Sequence, residues 1–379
     1  MPLPTFDVRP ILELRARFER RAQGDLSDVA SDDASNFLGR ARAGFGFTAG
    51  PVRGQLVYQY AYGETVNFNR HISTTRSDLV LGFAQGRLGE VEVTAGRQRL
   101  EFGSARLLGV GDWNNISNAW DGGRADLRGG TLFAVRSGLR ATPDETLSLY
   151  GGAYALGPVQ GLLVHKHDGR GRVEETTVSA QFRHRIGRVG LDAEAAGQVG
   201  RRAGRDVLAG AVDAIGTLPL APRFSLSVQG SLASGGGPGG TSHTFDQLYP
   251  SAHDRHGLLD LAGWQNLRDL GAWIRYEPDR RTGVKLQYHH LELQSKRDAW
   301  YGAGGAPNRG PAGAFVDPTG GSGRDLGDEI DLDATHTVDA RGTARAGIGL
   351  FRPGSFVRAF NGDATRDQVF GYVQYTYRF

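Results

Sequence analysis

The stretch Asp367–Phe379, DQVFGYVQYTYRF, decides how the chain is read. Counting back from the end, Phe379, Tyr377, Tyr375 and Val373 fall on one face, and Arg378, Thr376, Gln374 and Tyr372 on the other. A period of two is a strand with one apolar and one polar side. A terminal Phe with aromatics at alternate positions suits a strand closing an outer-membrane barrel, whose outer face meets lipid and whose rims meet headgroups.

Working outward, the same alternation recurs along the chain. In ILELRARFERR (11–21), Leu12, Leu14, Ala16 and Phe18 oppose Glu13, Arg15, Arg17 and Glu19. Residues 36–48 set Phe37, Ala41, Ala43, Phe45 and Phe47 against Arg40 and Arg42, and 52–64 carries Leu56, Tyr58, Tyr60 and Tyr62 on one side. Further strands are expected near 76–87, 90–101, 119–128, 131–138, 145–156, 159–167, 173–186, 189–201, 205–217, 222–234, 264–277, 281–296, 326–338, 341–353 and 367–379. That makes about eighteen, of a length that crosses a bilayer when tilted.

Alternate joints are short: Ala49-Gly50, Leu88-Gly89, Gly129-Gly130, Ile186-Gly187, Asp279-Arg280 and Asp339-Ala340. Those between them are mostly long and polar, near 23–35, 64–75, 102–118, 235–263, 297–325 and 354–366. Such sorting is what brief periplasmic turns and extended extracellular loops produce, and a sandwich or propeller has no reason for it. The expected fold is all-β: one antiparallel up-and-down transmembrane barrel over residues 1–379 in the outer membrane of a Gram-negative bacterium.

Composition agrees. The chain has 57 Gly, no Cys and a single Met. No apolar run reaches the roughly 18–20 residues of a membrane helix. A mean hydropathy of -0.37 is compatible with a barrel, since only alternate residues face lipid. A net charge of +3 gives no whole-molecule argument for nucleic acid. Met1-Pro2-Leu3 opens no basic-then-apolar leader, so a targeting segment is expected to have been removed from this numbering.

Several loop blocks resemble the alginate-export family of outer-membrane porins. They are GRQRLEFGSARLLGVGDWNN (96–115), WDGGR (120–124), FDQLYPSAHDRHGLLDLAGWQN (245–266), KRDAWYGAGG (296–305), DLGDEIDL (325–332) and FRPGSF (351–356). The resemblance implies an eighteen-stranded barrel with a basic pore that passes a polyuronate outwards. It also implies a long late periplasmic turn partly covering the pore. The corresponding joint here, about 339–340, is short, so that device is expected to be missing.

Alternation supplies a pore-lining set. Around the closing seam it gives Arg378, Arg15, Arg17, Arg40, Arg42 and Arg345, with Arg124, Arg128, Arg183, Arg185, Arg275 and Lys285 elsewhere. Arg97 and Arg99 belong to the family-like block and join the set, although strict parity puts them with Val91, Val93 and Ala95, so a bulge or a position beyond the membrane is needed. Trp273 points inward by parity and could stack on a sugar. Guanidinium offers a planar fork matched to uronate carboxylates, and rings of Arg or Lys are an anion-selective device. Inward acids, including Asp331 and Asp333, can instead pair with the arginines and stiffen the wall, as expected for Arg345.

Other constellations are weaker. Asp25, Asp28, Asp32 and Asp33 lack calcium-loop spacing. His243, Asp246, His253, Asp254 and His256 show no H-E-x-x-H, so a loop narrowing the barrel mouth is the expected role rather than a metal. No nucleophile elbow is present. The expectation is a non-enzymatic, cofactor-free monomer that meets lipid, lipopolysaccharide, an anionic saccharide and periplasmic export or secretion components, but no nucleic acid. Two alternatives stay open: a diffusion porin taking up small organic or aromatic acids, and a barrel-borne enzyme or adhesion scaffold.

Overall fold

The computed structural model describes residues 6–29, 32–67, 70–139 and 146–379. The first strands are β1 (Phe6–Ala22), β2 (Ala34–Ala49), β3 (Val52–Asn67), β4 (Arg70–Leu88), β5 (Val91–Gln98), β6 (Ala119–Leu127) and β7 (Gly130–Leu139). Then come β8 (Leu147–Leu156), β9 (Val159–Asp168), β10 (Val173–Ile186), β11 (Val189–Arg202), β12 (Arg205–Ala221) and β13 (Phe224–Ala233). β14 (Leu267–Tyr276) and β15 (Thr282–Leu293) precede a small hairpin, β16 (Arg309–Gly310) with β17 (Gly313–Ala314). The chain ends with β18 (Asp325–Thr337), β19 (Gly342–Pro353), α1 (Ser355–Asn361) and β20 (Gln368–Arg378).

Each barrel strand pairs antiparallel with the next, and β1 pairs with β20 from Glu13↔Arg378 to Ala22↔Val369, closing an 18-stranded sheet. Closure removes the open ends of the sheet, where an unsatisfied N–H or C=O in the bilayer would cost several kcal/mol, as the hydrocarbon cannot replace it; β5 pairs with β4 only as far as Arg97↔Gly82, and just beyond that point Arg97 donates to the Leu79 carbonyl at 2.9 Å. The short-turn ends include Gly50 and Gly187, both with φ near +60° (59° and 58°), a conformation that a side chain resists.

Alternation is met along the wall. Leu14, Phe18, Leu132, Val178, Leu208 and Val373 are exposed on the outside, where lipid would cover them. Glu13, Arg15, Arg17, Gln59, Asp213, Gln229, Asp331 and Thr376 are buried on the inside. The joint expected at 64–75 is mostly strand, because β3 and β4 run to Asn67 and from Arg70; residues 68–69 of it, like residue 145 at the expected start of β8, lie outside the described residues.

The inside of the barrel is not an open bore throughout. Loop residues Leu100, Phe102, Leu107, Leu108, Phe245, Leu248 and Trp264 form one apolar core with Phe133, Val135, Leu149, Val164 and Val207 of the wall. Leu258, Leu259, Trp300 and Phe315 form a second with Leu291, Phe351, Phe356 of α1, and Phe370. Each such side chain contributes roughly 1.5–3 kcal/mol by leaving water. The long loops are therefore folded into the barrel as packed structure.

Candidate pore lumen and constriction

Of the seam arginines, Arg15, Arg17, Arg40 and Arg42 are inward and nearly fully buried. Register sets Glu13 opposite Arg42 and Arg378, and Arg15 opposite Arg40. What they face is loop segment 112–117. Arg15 donates to the carbonyls of Asp112 (2.6 Å) and Asn114 (3.1 Å) and to Asn115 Oδ1 (3.1 Å). Arg40 binds Asp112 Oδ2 at 3.0 Å and Glu13 at 2.6 Å, and also donates to the Asp112 and Asn114 carbonyls. Arg42 reaches Asp112 Oδ1 (2.9 Å), Ser117 Oγ (2.9 Å) and Gln59 (2.8 Å). Asn115 Nδ2 donates to the strand carbonyls of Gly39 (3.1 Å) and Tyr62 (2.8 Å).

The arc is thus a clamp that holds a loop across the lumen. Several fixed guanidinium forks meet loop carbonyls that have left the helix and sheet ladders, satisfying groups that would otherwise be orphaned. Burial pushes the Asp112 carboxyl up, but Arg40 and Arg42 outweigh it and hold its pKa at about 2. Arg99 sits farther off, 3.9 Å from Asp112.

Trp113 links this loop to the next. Arg17 donates to the Trp113 carbonyl at 2.7 Å and lies 3.8 Å over its ring. His253 stacks on the indole with centroids 3.5 Å apart and planes 4° from parallel. Tyr372 meets it edge-on at 4.9 Å. The 245–266 loop is in turn tied to the walls. Lys166 holds Asp246 (2.5 Å), Lys285 pairs with Asp254, Asp269 accepts from His256 (2.8 Å), and Glu329 and Asp331 accept from the backbone N–H groups of Leu259 (2.8 Å) and Leu258 (3.1 Å). Between the two loops and residues 303–304 lies a cavity of about 620 Å³, lined by Asp112, Trp113, Asn118, Gln247, Tyr249 and Asp260 among others.

The remaining inward candidates line the wall in pairs. Arg345 binds Asp333 at 3.1 Å, Arg378 binds Glu13 at 2.9 Å, Arg183 binds Asp192 at 2.8 Å, and Arg124 binds Asp126 at 2.8 Å. Arg183 and Arg378 still leave 61% and 59% of their side chains exposed. Arg275 stands exposed opposite Lys285, and Trp273 lies 6.5 Å from His289, nearly parallel. Asp331 takes Gln287 (2.8 Å) rather than an arginine.

Two residues of the expected lining are elsewhere. Arg97 stays on the outer parity. It lies opposite Gly82 and Asp121, and grips Asp121 with two bonds of 2.7 and 2.8 Å. The bulge that occurs nearby, at Val57/Tyr58 between β3 and β4, is on other strands and leaves β5 in register. Arg128 sits in the short turn after β6 with φ of 44° and pairs with Glu90, outside the bore. The histidines of the 243–256 stretch go to separate partners: His243 to the Leu208 carbonyl (2.7 Å), His253 to Asp260 (2.8 Å) and His256 to Asp269. Among the described residues, no three His, Asp or Glu are grouped as ligands for a metal.

Alternation along strands could not reveal Asp112, Trp113, Asn114 and Asn115 as partners of the arc. The one signal was a surplus of inward arginine over inward acid at the seam. With the geometry in place, a family comparison settles the class: the sequence model described as Alginate export matches residues 130–371. The chain belongs to the alginate export family.

No curated protein sequence matches it. Among solved structures, the fold is similar to Pseudomonas aeruginosa OprD, with 13% identity, a TM-score of 0.61, and 100% of this chain and 95% of that chain covered. P. aeruginosa OpdO has 14% identity and a TM-score of 0.65, covering 98% of this chain and 97% of its own. P. aeruginosa OpdK, solved with vanillate, has 15% identity and a TM-score of 0.64, with 98% of each chain covered. At such identities the likeness is one of fold. The closed barrel and the family make this alginate-export member an outer-membrane channel of a Gram-negative bacterium.

Proposed function

We propose that the protein passes anionic saccharides of the polyuronate kind, as a passive conduit and not a catalyst, working as a monomeric barrel. The observation that carries this reading is the set of inward arginines outside the clamp. Arg183, Arg275, Arg345 and Arg378 lie around the bore; Arg183 and Arg378 keep more than half of the side chain open while one edge is held by an acid. A guanidinium held on one edge is pre-aimed, and its free edge can take a carboxylate. Several such weak stations suit translocation better than one tight site. Export as the direction, with periplasmic machinery delivering the substrate, is the reading that the match to the alginate export family supports.

A second reading, uptake of small organic or aromatic acids, is supported by the folded-in loops. They leave a space of about 620 Å³ at the constriction, a size that holds one small-molecule ligand, and the similar OpdK barrel was solved with vanillate. Planar-bilayer recording separates the two. Current blocked by oligouronates supports the saccharide conduit; block by benzoate-type acids alone supports small-acid uptake; absence of conductance overturns both.

A further inference from the structure

The chain has five Trp, and four of them are absorbed in packing. Trp120, Trp264 and Trp300 are buried in the two apolar cores, and Trp113 stacks on His253 and meets Tyr372 edge-on. Trp273 belongs to neither core. On β14 the exposed residues Leu270 and Ile274 face lipid, so Trp273 and Arg275 face the bore. They stand in register with Ser227 and Ser225 of β13, and with Gln287 and Lys285 of β15. The outward ring at this strand end is Tyr276, stacked on Phe224 at 4.5 Å, so Trp273 is no part of the aromatic girdle.

Both side chains are open. Trp273 is half-buried and Arg275 exposed. Among the described residues, neither the indole N–H nor the Arg275 guanidinium has a hydrogen-bond or ion-pair partner, and the hydroxyl of half-buried Ser225 has none either. Arg183, Arg345 and Arg378 of the same wall each hold an acid. Gly283 of β15 leaves space beside Arg275, since a Cβ there would already lie 3.7 Å from Nη1. His289, fixed by Asp269 at 3.0 Å, stands 6.5 Å from the indole and nearly parallel to it. Arg275 is next to the end of β14 at Tyr276, and Lys285 and Gln287 beside the pair carry Asp254 of the folded-in loop. The pair therefore lines the wall at the underside of that loop, on the short-turn, periplasmic side of the constriction.

We propose that Trp273 and Arg275 form a reception subsite for one acidic sugar ring before it enters the constriction, the C–H face of the pyranose on the indole and its carboxylate on the Arg275 fork. The inference rests on the polyuronate reading above and adds a place and a contact to it. The face of an indole is the negative side of its quadrupole, which suits the polarised C–H groups of a sugar. Two steps along a strand separate the Cα atoms by ~6.6 Å, so side chains on one face can meet a ring and its carboxylate together. A guanidinium held by no acid takes an incoming carboxylate without first giving up a partner. The indole N–H and Ser225 Oγ are free to meet sugar hydroxyls, which benzoate lacks.

Block of the full barrel in planar bilayers tests it, with a uronate trimer added on the short-turn side and its methyl ester as the neutral counterpart. Wild type should be blocked by the acid at lower concentration than by the ester. Trp273→Ala should raise the half-blocking concentration of both about five- to tenfold, the order of one aromatic stack, and Trp273→Phe should restore part of it. Arg275→Ala should raise that of the acid about tenfold and leave that of the ester within about twofold, a split that a merely structural role would not produce. Heat-modifiable migration confirms that each variant is a folded barrel. If the acid blocks wild type and both alanine variants equally, the subsite is overturned while the polyuronate conduit stands. No block of wild type by the acid overturns both. Weaker block by benzoate with unchanged block by the trimer in either variant would assign the pair to aromatic acids and overturn the subsite.

Discussion

The indole of Trp113 and the imidazole of His253 lie 3.5 Å apart and within 4° of parallel, joining the two loops that narrow the barrel. An aromatic stack contributes roughly 0.5–1.5 kcal/mol beyond burial, so removing it should shift the loops without unfolding the wall. Trp113→Ala and His253→Ala are each expected to raise mean single-channel conductance and the frequency of open-state fluctuations. Unchanged recordings from both variants would show that these loops do not set the conductance.

The clamp itself should be far less tolerant. The Arg40 side chain is fully buried between Glu13 (2.6 Å) and Asp112 (3.0 Å). Removing one partner of a buried ion pair costs about 3–5 kcal/mol because the other charge is left uncompensated. Arg40→Ala is expected to lower the urea midpoint accordingly, and Arg40→Lys to restore little, since an ammonium cannot span two carboxylates and two carbonyls. Urea melts followed by heat-modifiable migration measure this directly.

The same clamp gives a pH dependence. Asp112 and Asp246 both have pKa values held at about 2, burial raising each and the neighbouring cations (Arg40 and Arg42, Lys166 and Arg202) lowering them by more. An unfolded Asp titrates near ~3.9, so the stabilisation is complete above that value and disappears as pH falls through about 2. The loops are expected to resist pepsin at pH ~4 and to become cleavable as pH approaches ~2. Release already complete at pH ~5 would contradict the assignment.

Arg97 and Asp121 offer a different test, because their pair faces lipid. Arg97→Leu alone strands Asp121 beside hydrocarbon and is expected to lower the yield of folded barrel in refolding assays. Arg97→Leu with Asp121→Leu should recover most of that yield, since the pair is then replaced by apolar surface suited to the belt, and Asp78, which Arg97 also holds at 2.9 Å, keeps Arg76 at 3.7 Å. A double variant worse than either single would mean that the pair is needed for more than mutual neutralisation.

How much of this was readable in advance follows from what a period of two can encode. It gave the parity of Arg15, Arg42 and Arg345 because a strand side chain has only two directions to point. It also placed the seam between the terminal strand and the first, where Glu13 meets Arg378. It could not give the inward folding of the loops, which depends on contacts between residues about a hundred positions apart, as between Arg15 and Asn115. A trace of that folding was nevertheless present. Leu132-Phe133-Ala134-Val135 and Leu162-Leu163-Val164 are apolar on both faces, which a water-filled barrel would not require; Phe133, Val135, Leu162 and Val164 pack against the loop core. For Arg97 the two signals conflict: its family-like block suggests a pore residue, strict parity puts it outside unless a bulge intervenes, and its register with Gly82 and Asp121 follows parity.

The reversal potential across a planar bilayer under a potassium chloride gradient tests most directly whether the open arginines select anions. Wild type should prefer chloride, and the combined Arg183→Gln, Arg345→Gln and Arg378→Gln variant should move the reversal potential towards zero while conductance persists. A cation-selective wild type, or a variant whose reversal potential is unmoved, would contradict the account.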